Sequence, residues 1–194
     1  MHMPPAITLR EYDRCCGIVH KALALVGPVF RLDIARGLHG IPHWSRVWYH
    51  GRRLAAAQDL DPALSAWFAF LHDSQRHGDG FDPEHGARAA DFAQRLRRDG
   101  MVNELTRSQF EQLCEAMKLH SSGRIHGEPA MMVCWDADRL DLLRAGIRPD
   151  PARMCTAMAR RGAVINHACR MAQRQRGDAR ERAGKAPASE REGA

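Results

Sequence analysis

At 194 residues the chain is long enough for one domain with a sizeable core and short for two. Apolar residues at 44% and charged residues at 27% match an ordinary globular composition, which excludes wholesale disorder. No run approaches the ~18 consecutive apolar residues of a membrane span, and no basic stretch leads into an apolar one as in a secretory leader.

The formal charge is +6, and nearly all the cations are arginines, since only Lys21, Lys118 and Lys185 are lysines. Arginine suits two-pronged recognition of phosphate or carboxylate. Part of the excess falls after Arg170, and no DNA-binding motif is present, so nucleic acid is not the expected partner. None of the six cysteines forms a C-x-x-C pair, and most sit in apolar stretches. The expected protein is therefore reduced, cytoplasmic and free of disulfides.

The pattern along the chain is helical. A first helix is expected over Thr8–Val26 and a second over His43–Gln58. Asp61-Pro62 starts a third, Pro62–Ser74, and Asp82-Pro83 a fourth, Pro83–Arg98. In each pair Asp can cap the free amides while Pro takes the first helical position. Thr106-Arg-Ser-Gln109 reads as a capping box for a fifth helix, Arg107–Leu119. A sixth is expected over Pro129–Leu143, and Asp150-Pro151 starts a seventh, Pro151–Gln175. Leu64, Trp67, Phe68 and Leu71 make one apolar stripe, and Phe110, Leu113, Cys114 and Met117 another. The expectation is all-α: one helical bundle over residues 1–175 and a disordered basic tail over 176–194.

Eleven histidines are many for this length, and their places matter more than their number. His43 opens a helix, and His72-Asp73 ends the apolar run Ala66–Leu71. Asp138 lies within Trp135-Asp-Ala-Asp138-Arg-Leu-Asp141. An ionisable pair at the end of a core helix needs a partner or a metal. Two His and two Asp suit a divalent first-row metal better than calcium.

His39-Gly-Ile-Pro-His43, Leu71-His72-Asp73 with Arg76, and His85-Gly-Ala-Arg88 occur in that order, followed by Leu119-His120 and Asp136-Ala-Asp138-Arg-Leu-Asp141. Together these segments resemble the HD-domain superfamily of metal-dependent phosphohydrolases. The resemblance spans more than half the chain and implies an all-helical fold. It implies His43, His72, Asp73 and Asp138 as ligands of a divalent transition metal (Mn, Fe, Co, Ni or Zn, with Mg admitted). Asp138 is chosen over Asp136, which would stand behind the ligands and orient a histidine. Some branches bind two metals, and His85 and His120 are the candidates for that here. The favoured expectation is one metal, with Asp73, His85 and His120 serving catalysis.

Arg46, Arg76, Arg88 and Arg139 are the candidate phosphate clamps. The implied function is hydrolysis of a phosphoester or phosphoanhydride, in a nucleotide or related small metabolite, by metal-activated water. The alternatives are a di-iron oxygenase of the same fold, which needs a fuller histidine set, and a non-catalytic metal-binding or sensory module.

Overall fold

The computed structural model describes residues 9–184, and these residues contain α-helices, short 3-10 turns and no strand. Seven α-helices follow in order: α1 Leu9–Val26, α2 Ile41–Ala56, α3 Ala63–Leu71, α4 His85–Arg98, α5 Arg107–Leu119, α6 Pro129–Arg139 and α7 Gly162–Gly184. Among the described residues, no helix is long and apolar enough to cross a membrane. All six cysteines are free thiols.

α3 is the axis of the bundle. Its sequence, ALSAWFAFL, has no polar face, and all nine residues are buried. A helix apolar on every side is stable only when neighbours surround it. Here α1, α2, α5 and α6 do so, while α4 packs mainly on α5. Trp44, Trp67, Trp135, Phe68 and Phe70 are fully enclosed around this axis. The Trp135 indole N–H donates to the Ala116 carbonyl at 3.0 Å and ties α6 to α5.

The capping chemistry is largely as the sequence implies. Asp61 accepts from the Ala63 amide at 2.9 Å, and Asp150 accepts from Ala152 at 2.9 Å. The Thr106–Gln109 box forms in both directions. Asp82 differs: its carboxylate accepts from the His77 amide and from Arg88, so it closes the preceding loop.

Three expected helices are shorter than their sequence patterns. α3 stops at Leu71, and His72–Gln75 form turns. α6 stops at Arg139 and passes into a 3-10 turn at Leu142–Ala145. The helix expected from Pro151 is interrupted: Pro151–Arg153 is a 3-10 turn, and α7 begins only at Gly162. Asp136 explains the break. Its two oxygens accept from the Cys155 and Thr156 amides at 2.7 Å each, which holds that segment against α6. α7 itself continues past Gln175 to Gly184, and the rest of the expected tail, 185–194, lies outside the described residues.

Candidate metal centre

The ends of α2, α3 and α6 bring four polar side chains to one point in the apolar core. His43 is in the first turn of α2, His72 and Asp73 follow the last turn of α3, and Asp138 lies near the end of α6. The His43 and His72 Nε2 atoms are 3.1 Å apart. Asp73 Oδ2 lies 3.6 Å from His43 Nε2 and 3.5 Å from His72 Nε2, and Asp138 Oδ1 lies 3.4 and 3.7 Å from the same atoms. Ligand atoms about 2.05 Å from a tetrahedral ion stand about 3.3 Å from one another, so these spacings suit a single small cation.

The protons support this geometry. His43 Nδ1 donates to Asp141 Oδ2 at 2.7 Å, and His72 Nδ1 donates to the Phe68 carbonyl at 3.0 Å. In neutral rings, both Nε2 lone pairs therefore point into the same space. Burial outweighs the pull of Asp73 and pushes the His72 imidazolium pKa down to about 3, so the ring stays neutral. Burial opposes ionisation of Asp73 too, but His72 and the hydrogen bond from His39 hold its carboxyl well below the usual range. Asp138 is held low in the same way, by His43 and Arg144 against its own burial. Asp138 Oδ1 is buried without a hydrogen bond. Two lone pairs and two carboxylate oxygens thus converge with no donor among them, an arrangement that a cation resolves.

A second pair adjoins the first. His85 Nε2 and His120 Nε2 are 2.8 Å apart, and Asp73 Oδ1 lies 3.2 Å from His85 Nε2 and 3.8 Å from His120 Nε2. Here also both Nδ1 atoms donate to carbonyls, His85 to Asp82 and His120 to Met117. The trios His43–His72–Asp73 and Asp73–His85–His120 could each hold a metal ion. Asp73 belongs to both, one oxygen turned to each. Gly86 makes this approach of α4 to α5 feasible, because a Cβ there would come within 2.2 Å of the Met117 carbonyl oxygen.

His85 and His120 were expected to face phosphate beside a single metal. Their geometry is equally that of a second ligand pair. Asp136 does not orient a ligand histidine; it anchors Cys155 and Thr156. Asp141 does orient one, as it accepts from His43 Nδ1 and pairs with Arg46 through both oxygens. No role was expected for Asp141. The signal in the sequence is its spacing, three residues after Asp138, which the turn following α6 keeps through the Asp141 amide bonded to the Asp138 carbonyl at 2.9 Å.

The arginines divide by position. A cavity of about 410 Å³ opens above the cluster and is lined at its base by His39, Asp73, His85, His120 and Asp138. Arg76 and Arg139 line it as expected, but both have other partners. Arg76 donates to the Gly78 and Gly80 carbonyls, and Arg139 to those of Arg153 and Arg124. Arg46 and Arg88 do not line the cavity. Arg46 is buried against Asp141, and Arg88 is paired with Asp82 and the Gln75 carbonyl. Arg144, Arg148 and Arg153 line it without having been anticipated.

Comparison with protein-family profiles, with curated proteins and with solved structures finds no match to this chain. The buried His/Asp cluster in an all-helical bundle is compatible with the resemblance noted in the sequence, and a metal site is the coarsest reading that it supports.

Proposed function

We propose that the protein is a metal-dependent phosphohydrolase of the HD-domain type, acting on a small phosphorylated metabolite such as a nucleotide. The observation that carries the reading is the gathering of four imidazole Nε2 atoms around the two oxygens of Asp73, at the base of an arginine-lined cavity. A hydrolase of this kind needs a place for divalent cations and a cationic pocket for phosphate beside it, and the cluster and the arginine-lined cavity support both. His43, His72, Asp73 and Asp138 would hold one ion, and Asp73, His85 and His120 a second.

Bound divalent ions would lower the pKa of water and polarise a phosphoryl oxygen. Asp73 remains a carboxylate shared by both sites. Its Oδ2 accepts from His39 Nδ1 at 2.7 Å, which leaves His39 Nε2 to move a proton at the cavity base. Arg144 has Nη2 3.7 Å from Asp138 Oδ1, and Arg76 has Nη1 3.7 Å from Asp73 Oδ1. Both guanidiniums stand where they can steady a phosphoryl group. Hydrolysis forms a bond from water oxygen to phosphorus, breaks the ester or anhydride P–O bond, and returns a proton to the leaving oxygen.

The test is turnover of a panel of nucleotides and phosphoesters. The protein would be stripped and reloaded with Mn, Fe, Co, Ni, Zn or Mg, with Asp73→Ala as control. Metal-dependent phosphate release that the control lacks supports the proposal. Tight metal binding without any release sinks it. One feature favours a second reading: with His85 and His120 as ligands, the set reaches the six that a di-iron oxygenase of this fold requires. Oxygen uptake by the iron-loaded protein, with no phosphate release, would decide for that chemistry.

A further inference from the structure

The cavity wall from Leu142 to Met154 is built differently from its base. It contributes Arg144, Arg148 and Arg153, with the apolar side chains of Leu142, Ile147 and Met154 among them. Arg144 is the one nearest the cluster, and its guanidinium is shared with the Leu38 and Asp141 carbonyls. The other two form no ion pair among the described residues. Arg148 contacts Asn166 Oδ1 at 2.6 Å and Cys169 Sγ at 3.8 Å, both uncharged. Arg153 is exposed, and its guanidinium has no partner among the described residues. Asp150 is the wall's only carboxylate, and it caps the Ala152 amide.

A phosphoryl group at the cluster would be served by the metals, Arg76 and Arg144. It would leave Arg148 and Arg153 without a counter-charge. Leu142, Ile147 and Met154 share this wall, with Ile147 57% exposed, and no Phe, Tyr or Trp lines the cavity as a platform for a base. Two sets of cationic groups on a wall that also carries apolar side chains are complementary to a compact molecule with two anionic groups.

We propose that the cavity takes a doubly anionic substrate: a phosphoryl group at the histidine–aspartate base and a second phosphate or carboxylate at Arg148 and Arg153. The proposal rests on the phosphoryl reading of the base and names the substrate class. Arg153 is the principal specificity residue, because its side chain has no competing structural bond.

The experiment is calorimetric binding to the metal-loaded full chain, with three probes that cannot be hydrolysed. Propylphosphonate carries one anionic group, phosphonopropionate adds a carboxylate, and propylene bisphosphonate adds a second phosphonate. A charge-assisted contact implies that at least one doubly anionic probe binds about tenfold tighter than propylphosphonate. Which of the two gains more identifies the second anion. Arg153→Gln and Arg148→Gln should each reduce that advantage and leave propylphosphonate affinity unchanged. Equal affinity for all three probes would overturn the proposal, as would an advantage kept in the Arg148→Gln/Arg153→Gln double variant. Failure to bind any probe would overturn it as well. Turnover is read separately, so a binding preference with no hydrolysis of any phosphoester would break the hydrolase reading alone.

Discussion

His43 and His72 meet at 3.1 Å, His85 and His120 at 2.8 Å, and in all four rings Nδ1 is engaged, so that Nε2 faces its counterpart. The surroundings of the two pairs differ. The first is wholly enclosed and has two carboxylate oxygens within 3.7 Å. The second has Asp73 Oδ1 at 3.2 and 3.8 Å, with an Asp138 oxygen within 4.8 Å of His120, and both of its rings line the cavity. More anionic ligands and less solvent mean tighter binding, whereas fewer protein ligands leave positions open to water and substrate. On the proposed reading, the enclosed pair would hold its ion permanently and the cavity-facing pair would exchange it.

The largest effect that tests this division is at the shared residue. Asp73→Asn removes a full negative charge from both sites. Metal content should fall at both, and turnover should drop by more than the roughly 100-fold that changes behind the ligands produce. Retention of both ions by this variant would end the two-site account. Next come the residues that belong to one half. Asp138→Ala should strip the enclosed site, whereas Asp136→Ala should keep the metal and instead loosen Cys155 and Thr156. His120→Ala should leave one tightly held ion and lose the other. If His120→Ala and Asp138→Ala lose the same amount of metal, measured by elemental analysis after dialysis, the halves are not distinct.

A smaller effect lies behind the ligands. Asp141→Asn weakens the acceptor that fixes the His43 ring and leaves buried Arg46 without its countercharge. Metal affinity at the enclosed site should fall about 10- to 100-fold, with the cavity-facing site unaffected. Competition against a chromophoric chelator would read both constants in one titration.

Most of the helices were legible because their start signals are local. The Thr106 box and the caps at Asp61 and Asp150 form within three residues of the side chain concerned. The four residues of the enclosed site were legible only through their order along the chain, since nothing in the spacing of His43, His72 and Asp138 requires them to meet. The arginines were the least legible, because what separates them is the place each takes in the fold, not how deeply it is buried. Arg46 and Arg144 look alike in sequence, yet one is bonded to Asp141 beneath the site and the other reaches the cavity. The break between Arg153 and Gly162 was hidden for a related reason. It depends on two amides captured by Asp136, about twenty residues earlier.

A buried histidine outside both pairs serves as a reference. His50 is on α2, seven residues after His43, with Nε2 unpartnered in the core. Burial pushes its pKa down to about 4, against the weaker upward pull of Asp141. The unfolded chain takes up a proton at this position below about pH 6.5, and the folded chain only below about pH 4. The unfolded state therefore binds more protons across that window, and stability falls steadily as pH drops through it. The loss attributable to His50 is of order 3 kcal/mol by pH 4. The pKa values of His72 and His167 are also lowered by burial, and their contributions have the same sign. Thermal melts of the native chain and of His50→Met at a series of pH values isolate the His50 share. The slope between about pH 6.5 and pH 4 should shrink in the variant, and a slope unchanged there would place the titrating group elsewhere.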